Sequence, residues 1–181
     1  MPSRYTFVKY SPEWPFEFER EAARLRGIFG EEIVVIHHIG STSVPGMDAK
    51  PIIDLLPLVN DISRIDGYTN RMTAEGYKVY GEYGLPGRRY FTRDSDEYRT
   101  HNIHIYAAGD PAVPRHIAFC SYLRAHPDAC LEYITVKRAA YAQHPTDIEA
   151  YNDAKDAWIK RTEKVAPDWY RAQPESKVIM K

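Results

Sequence analysis

A glycine-serine turn and a single carboxylate are the residues best suited to chemistry in this chain. Gly40 and Ser41 begin the turn, and Asp54 follows in an apolar run. A glycine lets a phosphate approach the backbone amides closely, and the hydroxyls of Ser41 and Thr42 add hydrogen-bond donors. Lys50 precedes a proline and is therefore extended, so its ammonium can neutralise a phosphate or pair with Asp54. These residue types together predict a phosphate site.

Two predicted strands position these groups. The β-branched run Ile33 to Ile36 favours a buried strand that leads into the turn, and a second strand after Pro51 carries Asp54. The carboxylate lies between isoleucines and leucines, where an ion needs a cation or hydrogen-bond donors to stay charged. Such a placement is costly without a purpose, which favours a functional role for Asp54.

The stretch from His38 to Asp54 also resembles a family signature. It closely matches the pattern His-Ile-Gly-Ser-Thr-x-Val-Pro-Gly-x-x-Ala-Lys-Pro-x-Ile-Asp of the GrpB family. The likeness covers most of the chain and continues through Tyr10, Pro12, Trp14, Gly84, Pro86, Gly87, Arg88, Phe91, His101 to His104, Phe119, Tyr122, Leu123, Arg124, Tyr133, Lys137, Tyr151 and Lys155.

The GrpB family in turn resembles the polymerase-beta-like nucleotidyltransferases. In that superfamily the Gly-Ser pair holds nucleotide phosphates, and an Asp-x-Asp or Asp-x-Glu pair on the next strand binds magnesium. The resemblance implies that Gly40, Ser41, Thr42 and Lys50 bind a nucleotide and that Asp54 binds the metal. Residues two apart share a strand face, so the second acid belongs at position 56, where this chain has Leu56. A two-metal site, which needs several carboxylates, is therefore not expected.

Further candidates lie outside the signature. His104 shares a strand face with Asn102. On a strand next to that of Asp54, His104 can ligate a metal beside Asp54 or act as a general base. Arg88 follows a glycine-rich loop and can clamp a phosphate in bidentate fashion. Lys137 lies near the apolar stripe of a late helix, from which it can reach a ligand.

Three functions remain open. The first is magnesium-dependent transfer of a nucleotidyl group from a nucleoside triphosphate to a small acceptor, with Asp54 and His104 as catalytic and metal-binding residues. The second is an inactive module that binds a nucleotide or phosphometabolite, motivated by Leu56. The third is a phosphohydrolase that uses Asp54 with His38, His101 or His104 and holds manganese or zinc, since imidazoles suit transition metals. The family name is also associated with dephospho-coenzyme A kinase chains, but this sequence has no Gly-x-x-x-x-Gly-Lys-Ser/Thr loop.

Composition and charge limit the partners and the location that we expect for the protein. The chain has 181 residues and a formal net charge of -1, which gives no broad attraction to polymeric nucleic acid. It has two cysteines, too few for a disulfide framework, and no membrane-length apolar stretch or secretory signal, so we expect a cytoplasmic protein. The partner is expected to be a small nucleotide or phosphorylated metabolite, and the oligomeric state is not predicted.

The order of elements predicts an α+β protein, with a mixed β-sheet flanked by helices and further helices at the C-terminal end. The resemblance to the GrpB family implies that this fold is nucleotidyltransferase-like. We expect one domain over residues 1–166, with a core at about 10–110, a helical segment at about 114–166, and a loose tail at 167–181. Helices are predicted from Pro12 to Gly30 and from about residue 61 to 75, and a strand is predicted over residues 77–82.

Overall fold

The computed structural model describes residues 5–96 and 98–176 and separates them into two compact units. The sheet unit comprises Pro12–Ile39 and Ile52–Asp110. The helical unit comprises the rest of the described chain, including the turn-bearing segment Gly40–Pro51.

The sheet unit is a mixed β-sheet with a helix on one face. Its elements are α1 (Trp14–Phe29), β1 (Ile33–Ile39), β2 (Ile53–Val59), α2 (Thr69–Ala74), β3 (Tyr77–Val79), β4 (Arg89–Asp94) and β5 (Arg99–Ala107). The strands are ordered β1-β2-β5-β4-β3, with β2 and β5 parallel and the other neighbours antiparallel. The α+β class with a mixed sheet is thus confirmed.

Helix α1 packs on one face of the sheet through its apolar stripe. Its buried residues are Trp14, Phe18, Glu21, Ala22, Leu25, Ile28 and Phe29. On the facing strands, Leu55 and Ile103 are register partners and fully buried. Leu55 and its neighbours in register define the α1 face of the sheet, and Asp54, one residue away, lies on the opposite face.

The helical unit contains three long helices and the Gly-Ser turn. They are α3 (Val113–Ala125), α4 (Pro127–Gln143) and α5 (Ile148–Arg171), and a 3-10 turn covers Ser41–Ser43. A backbone bridge between Val8 and Ala49 ties the N-terminal segment to the segment that follows the turn. Within residues 5–96 and 98–176, no helix is long and apolar enough to cross a membrane.

Three expectations about element boundaries need correction. Asp61 does cap a helical stretch by accepting from the Ser63 amide, but residues 62–68 are 3-10 and only Thr69–Ala74 is α-helical, since Gly67 weakens the middle of the segment. Strand β3 ends at Val79 and not at residue 82, because the chain turns at Gly81 with a φ of 61°.

Helix α5 gives the third correction. It passes through Pro167 and ends at Arg171, so the prediction of a loose chain directly after Pro167 was wrong. Ala166 and Tyr170 are buried on the same stripe as Trp158 and Thr162, and this packing outweighs the hydrogen bond that the proline removes. Residues 177–181 of the predicted tail lie outside the described residues.

Candidate functional site

Asp54 lies in a polar cluster on the face of the sheet opposite α1. Its register partners are Ile39 on β1 and Asn102 on β5. The Asn102 amide donates to Asp54 Oδ1 at 2.8 Å, and the Tyr90 hydroxyl donates to the Asn102 carbonyl oxygen at 2.8 Å. The Asp54 side chain is 25% exposed. The carboxylate therefore has a donor of the kind that its apolar neighbours require, and part of the side chain is exposed to solvent.

His104 is the second polar residue beside Asp54. Its Nε2 lies 3.6 Å from Asp54 Oδ1, and its Nδ1 lies 3.3 Å from Nη1 of Arg88. A guanidinium can only donate, so Nδ1 must be the acceptor and the proton of the neutral imidazole sits on Nε2. In this state His104 presents an N–H toward the carboxylate and has no free lone pair with which to take a proton.

Arg88 is buried and held by its own loop. Its Nε donates to the Glu82 carbonyl at 3.2 Å and its Nη2 to the Tyr83 carbonyl at 2.8 Å, while its guanidinium carbon lies 4.8 Å from the centre of the Tyr90 ring. Only 7% of the residue is exposed. These contacts fix the loop and orient His104, so the role of Arg88 as a phosphate ligand stays a prediction.

The strand register separates the histidines into two groups. His37 pairs with Leu56 and shares the face of Asp54, whereas His38 pairs with Leu55 on the α1 face and stacks on Phe18 at 4.7 Å. His101 pairs with Ile53, also on the α1 face, and burial lowers its pKa. The hypothesis that His38 or His101 joins Asp54 in a metal site is therefore wrong, because the pleat directs both to the other side.

The side chains around Asp54 that could ligate a metal fit only one kind of metal site. Among residues 5–96 and 98–176, no group of three His, Cys, Asp or Glu side chains could hold a metal ion. Magnesium is often bound by one or two carboxylates, with substrate phosphates and waters completing its shell. Asp54 fits such a single ion, whereas Leu56 and Asn102 do not supply the further carboxylates of a two-metal site.

The Gly-Ser turn in the helical unit has a shape that needs glycine. Gly40 has φ 71° and ψ -176°, a conformation open almost exclusively to glycine. The Ser43 hydroxyl donates to the Gly40 carbonyl at 2.7 Å, and Arg124 Nε donates to the Ser43 carbonyl at 3.0 Å. Thr42 is 1% exposed, so its side chain packs inward in this structure.

Lys137 joins helix α4 to the turn. Its ammonium donates to Ser41 Oγ at 3.0 Å and to the Asp48 carbonyl at 2.6 Å, and it lies 4.7 Å from the centre of the Tyr133 ring. The residue is only 1% exposed. Burial lowers its pKa to about 7, and repulsion from Lys155 and, more weakly, Lys50 contributes.

Lys50 and Lys155 complete a group of three lysine side chains in the helical unit. Lys50 Nζ lies 5.2 Å and Lys155 Nζ 4.7 Å from the centre of the buried Tyr151 ring. The neighbouring carboxylate of Asp48 is engaged by Arg138, whose Nε donates to it at 2.9 Å. We call Lys50, Lys137 and Lys155 the lysine group.

Sequence reasoning missed three residues of these clusters as site components. They are Tyr90 beside Asp54, and Lys155 and Asp48 near the turn. The strand period placed Asn102 on the face of His104 but did not identify it as the donor to Asp54, and Lys155 had a usable signal in its match to the family pattern. Tyr90 and Asp48 carried no comparable signal, because their contacts connect distant parts of the chain.

Comparisons with known proteins agree with this structure. The family model described as GrpB protein matches residues 4–165. The UPF0157 protein YqkA of Bacillus subtilis is 45% identical over 166 residues, and the chain spans only 48% of that protein's length. A dephospho-CoA kinase of Mycolicibacterium paratuberculosis is 31% identical over an alignment of 187 positions that covers 90% of this chain and 46% of the kinase.

Solved structures include one GrpB protein and others that share only the fold of this chain. A crystal structure of conserved protein GrpB from Enterococcus faecalis superposes with a TM-score of 0.88 at 41% identity and covers 91% of this chain and 99% of the other. Cid1 in complex with its short product ApU matches with a TM-score of 0.54 at 15% identity, and Cid1 poly(U) polymerase with Mg 3'-dATP matches at 0.53 and 14%, each covering 81% of this chain and about half of the other. The latter two likenesses concern the fold alone. Since the family model spans most of the sequence, the chain belongs to the GrpB family, and its fold is nucleotidyltransferase-like.

Proposed function

We propose that the protein binds the phosphate chain of a nucleoside triphosphate, or of a similarly charged phosphometabolite, in its helical unit. The observation that carries the proposal is Lys137, a buried lysine that bonds Ser41 of the Gly-Ser turn and is repelled by two further lysines. A bound anion would relieve the repulsion among these lysines, because it attracts their positive charges and accepts charge-assisted hydrogen bonds from them.

The physical argument for an anionic ligand is the free-energy cost of burying Lys137 and of placing two further lysines near it. Burying an ammonium is unfavourable unless it is paired, and Lys137 bonds only neutral oxygens in the contacts described above. A protein that needed only packing here would be better served by an apolar side chain of similar length. A phosphate chain carries enough negative charge to offset several lysines.

The fold neighbours favour a nucleotide as the source of the phosphates. One of the matching Cid1 structures holds Mg 3'-dATP. The relationship to dephospho-CoA kinases adds a phosphorylated coenzyme precursor as a second ligand to test, although this sequence lacks the phosphate loop of such kinases.

Nucleotidyl transfer is a second candidate function, and Asp54 is the observation that favours it. Its partly exposed carboxylate would hold one magnesium ion, which when bound screens phosphate charge and stabilises the charge that develops during transfer. Asn102 fixes the orientation of that carboxylate, and the N–H of His104 adds a positive edge beside it. Binding without turnover is the function that the geometry supports better, because a carboxylate that holds the metal needs a second group as base for the acceptor, and Nδ1 of His104 faces the guanidinium of Arg88.

Calorimetric titration tests the proposal. We expect ATP and inorganic tripolyphosphate to bind the wild-type protein, and Lys137→Met to weaken both by about 10- to 100-fold, the worth of a charged hydrogen bond. Lys160→Met is the matched control, since Lys160 is exposed on α5 and pairs with Asp156. Wild-type protein that binds neither ligand, or a Lys137 variant that binds both as tightly as the control, would contradict the proposal.

Asp54→Asn separates the two candidates. It removes the charge but keeps the shape, so we expect any gain in ATP affinity on adding magnesium to disappear. Release of pyrophosphate from ATP by the wild-type protein across a screen of small acceptors, and its loss in Asp54→Asn, would establish transfer. Binding without release would leave the module as proposed.

A further inference from the structure

The hairpin between β3 and β4 carries an aromatic cluster that the phosphate site does not use. Tyr80, Tyr83 and Tyr90, here called the tyrosine platform, lie in mutual contact. The rings of Tyr83 and Tyr90 stack with centroids 5.2 Å apart and planes inclined by 19°, and Tyr80 lies 5.2 Å from Tyr83. Tyr83 is nevertheless 62% exposed. A cluster that served only to hold the hairpin would gain more by burying this ring.

The backbone at Tyr83 is in an unfavourable conformation. Its φ is 46°, and it is the only residue other than glycine with a positive φ among residues 5–96 and 98–176. Tyrosine is bulky and adopts this region rarely, so a glycine here would relieve strain. Arg88 holds the strained peptide by donating to the Tyr83 carbonyl. The loop thus holds an exposed aromatic ring on a strained backbone. Strain of this kind is typical of functional sites.

The tyrosine platform is built into the cluster around Asp54. The Tyr90 ring lies 5.0 Å from the His104 ring, and its hydroxyl bonds Asn102, which in turn bonds Asp54. Arg88 contacts the platform through its guanidinium, 4.8 Å from the Tyr90 centroid, and bonds His104 as well. A ligand ring stacked on Tyr83 would therefore be held by a rigid extension of the same polar network.

We propose that the tyrosine platform binds a nucleobase by stacking on the exposed ring of Tyr83. Every base offers a flat π-face, so the contact suits a planar heterocycle and imposes little sequence preference. The nucleobase can come from a nucleotide or from a nucleoside, and the experiment below distinguishes the two. This inference rests on the proposed function only for the source of the base.

Tyr83→Gly is the informative variant, because it removes the ring while relieving the backbone strain, so the fold is retained. Tyr98→Ala is the matched control, since Tyr98 is an equally large ring that is 53% exposed in the same unit. Affinities for ATP, adenosine and tripolyphosphate are measured by calorimetry. Ring-proton shifts of Tyr83 on addition of adenosine are measured by NMR.

We expect Tyr83→Gly to weaken a base-containing ligand by about 5- to 100-fold and to leave tripolyphosphate unchanged. Weaker ATP binding shows that the platform takes the base of a nucleotide, whereas weaker adenosine binding with unchanged ATP binding shows that it takes the base of a nucleoside. Unchanged affinity for both, with no shift of the Tyr83 ring signals, overturns the platform while leaving the phosphate site intact. Failure of tripolyphosphate to bind the wild-type protein contradicts the proposed function, and the adenosine measurement still decides the platform.

Discussion

Replacing Lys137 by methionine should change how stability depends on pH. The pKa of an ordinary lysine is 10.5, and burial together with repulsion from Lys155 lowers that of Lys137 to about 7. Between these two values the unfolded chain binds a proton that the folded chain does not. Stability therefore rises with pH through this window, and the penalty is largest below pH 7.

The size of the effect follows from the two pKa values. Their difference of about 3.5 corresponds to about 5 kcal/mol of destabilisation at low pH, at 1.36 kcal/mol for each pKa unit. Between pH 6 and pH 9 the wild-type protein should recover roughly 3 kcal/mol of this penalty. Methionine cannot ionise, so Lys137→Met loses the bonds to Ser41 and to the Asp48 carbonyl at every pH but does not gain stability in this way.

Urea denaturation at several pH values measures the difference directly. The quantity of interest is the free energy of unfolding of the wild type minus that of Lys137→Met, since titrations elsewhere in the chain cancel in it. Lys160→Met serves as the reference, because Lys160 is exposed on α5. A wild-type-minus-variant difference that stays constant within about 0.5 kcal/mol from pH 6 to pH 9 would refute the argument that Lys137 is buried with a lowered pKa.

Three further substitutions test separate parts of the structure. Glu21→Gln should lower the free energy of unfolding by about 3 to 5 kcal/mol, because Glu21 is buried and accepts from Arg93 at 2.8 Å, and chemical denaturation measures this loss. Asp147→Ala should cost about 1 kcal/mol, since Asp147 caps α5 by accepting from two backbone amides, and Asp147→Ser should recover most of it in the same assay. Gly40→Ala should cost about 1 to 3 kcal/mol and weaken tripolyphosphate binding, since alanine cannot adopt the Gly40 conformation without strain; equal stability and affinity would show that the turn tolerates a side chain.

The sequence predicted Asp54 and its chemical needs but not the residue that meets them. An ionised carboxylate among isoleucines and leucines requires a donor, and this requirement is local. The donor is Asn102, which reaches Asp54 through the parallel pairing of β2 with β5. Such pairing joins strands far apart in sequence, and no spacing within either strand reveals their register.

The histidines also show that spacing within a strand does not reveal which strands pair. Period-2 geometry implies that His37 and His38 lie on opposite faces, but it does not say which face Asp54 shares. The pairing of Ile39 with Asp54 decides the matter in favour of His37. Lys137 was identified through its match to the family pattern, whereas its burial depends on tertiary packing that the helical period of α4 does not contain.

Position 56 is where the resemblance to nucleotidyltransferases leads us to expect a second acid. Leu56 is fully buried, and its register partner on β1 is His37. A carboxylate there would be an ion without solvent and would have to find new partners, so Leu56→Asp would cost stability before it could bind a metal. The surroundings of position 56 are therefore those of a packing residue. For this reason the polar cluster around Asp54 is better suited to one ion held together with a ligand's phosphates than to a two-metal centre that a single substitution could restore.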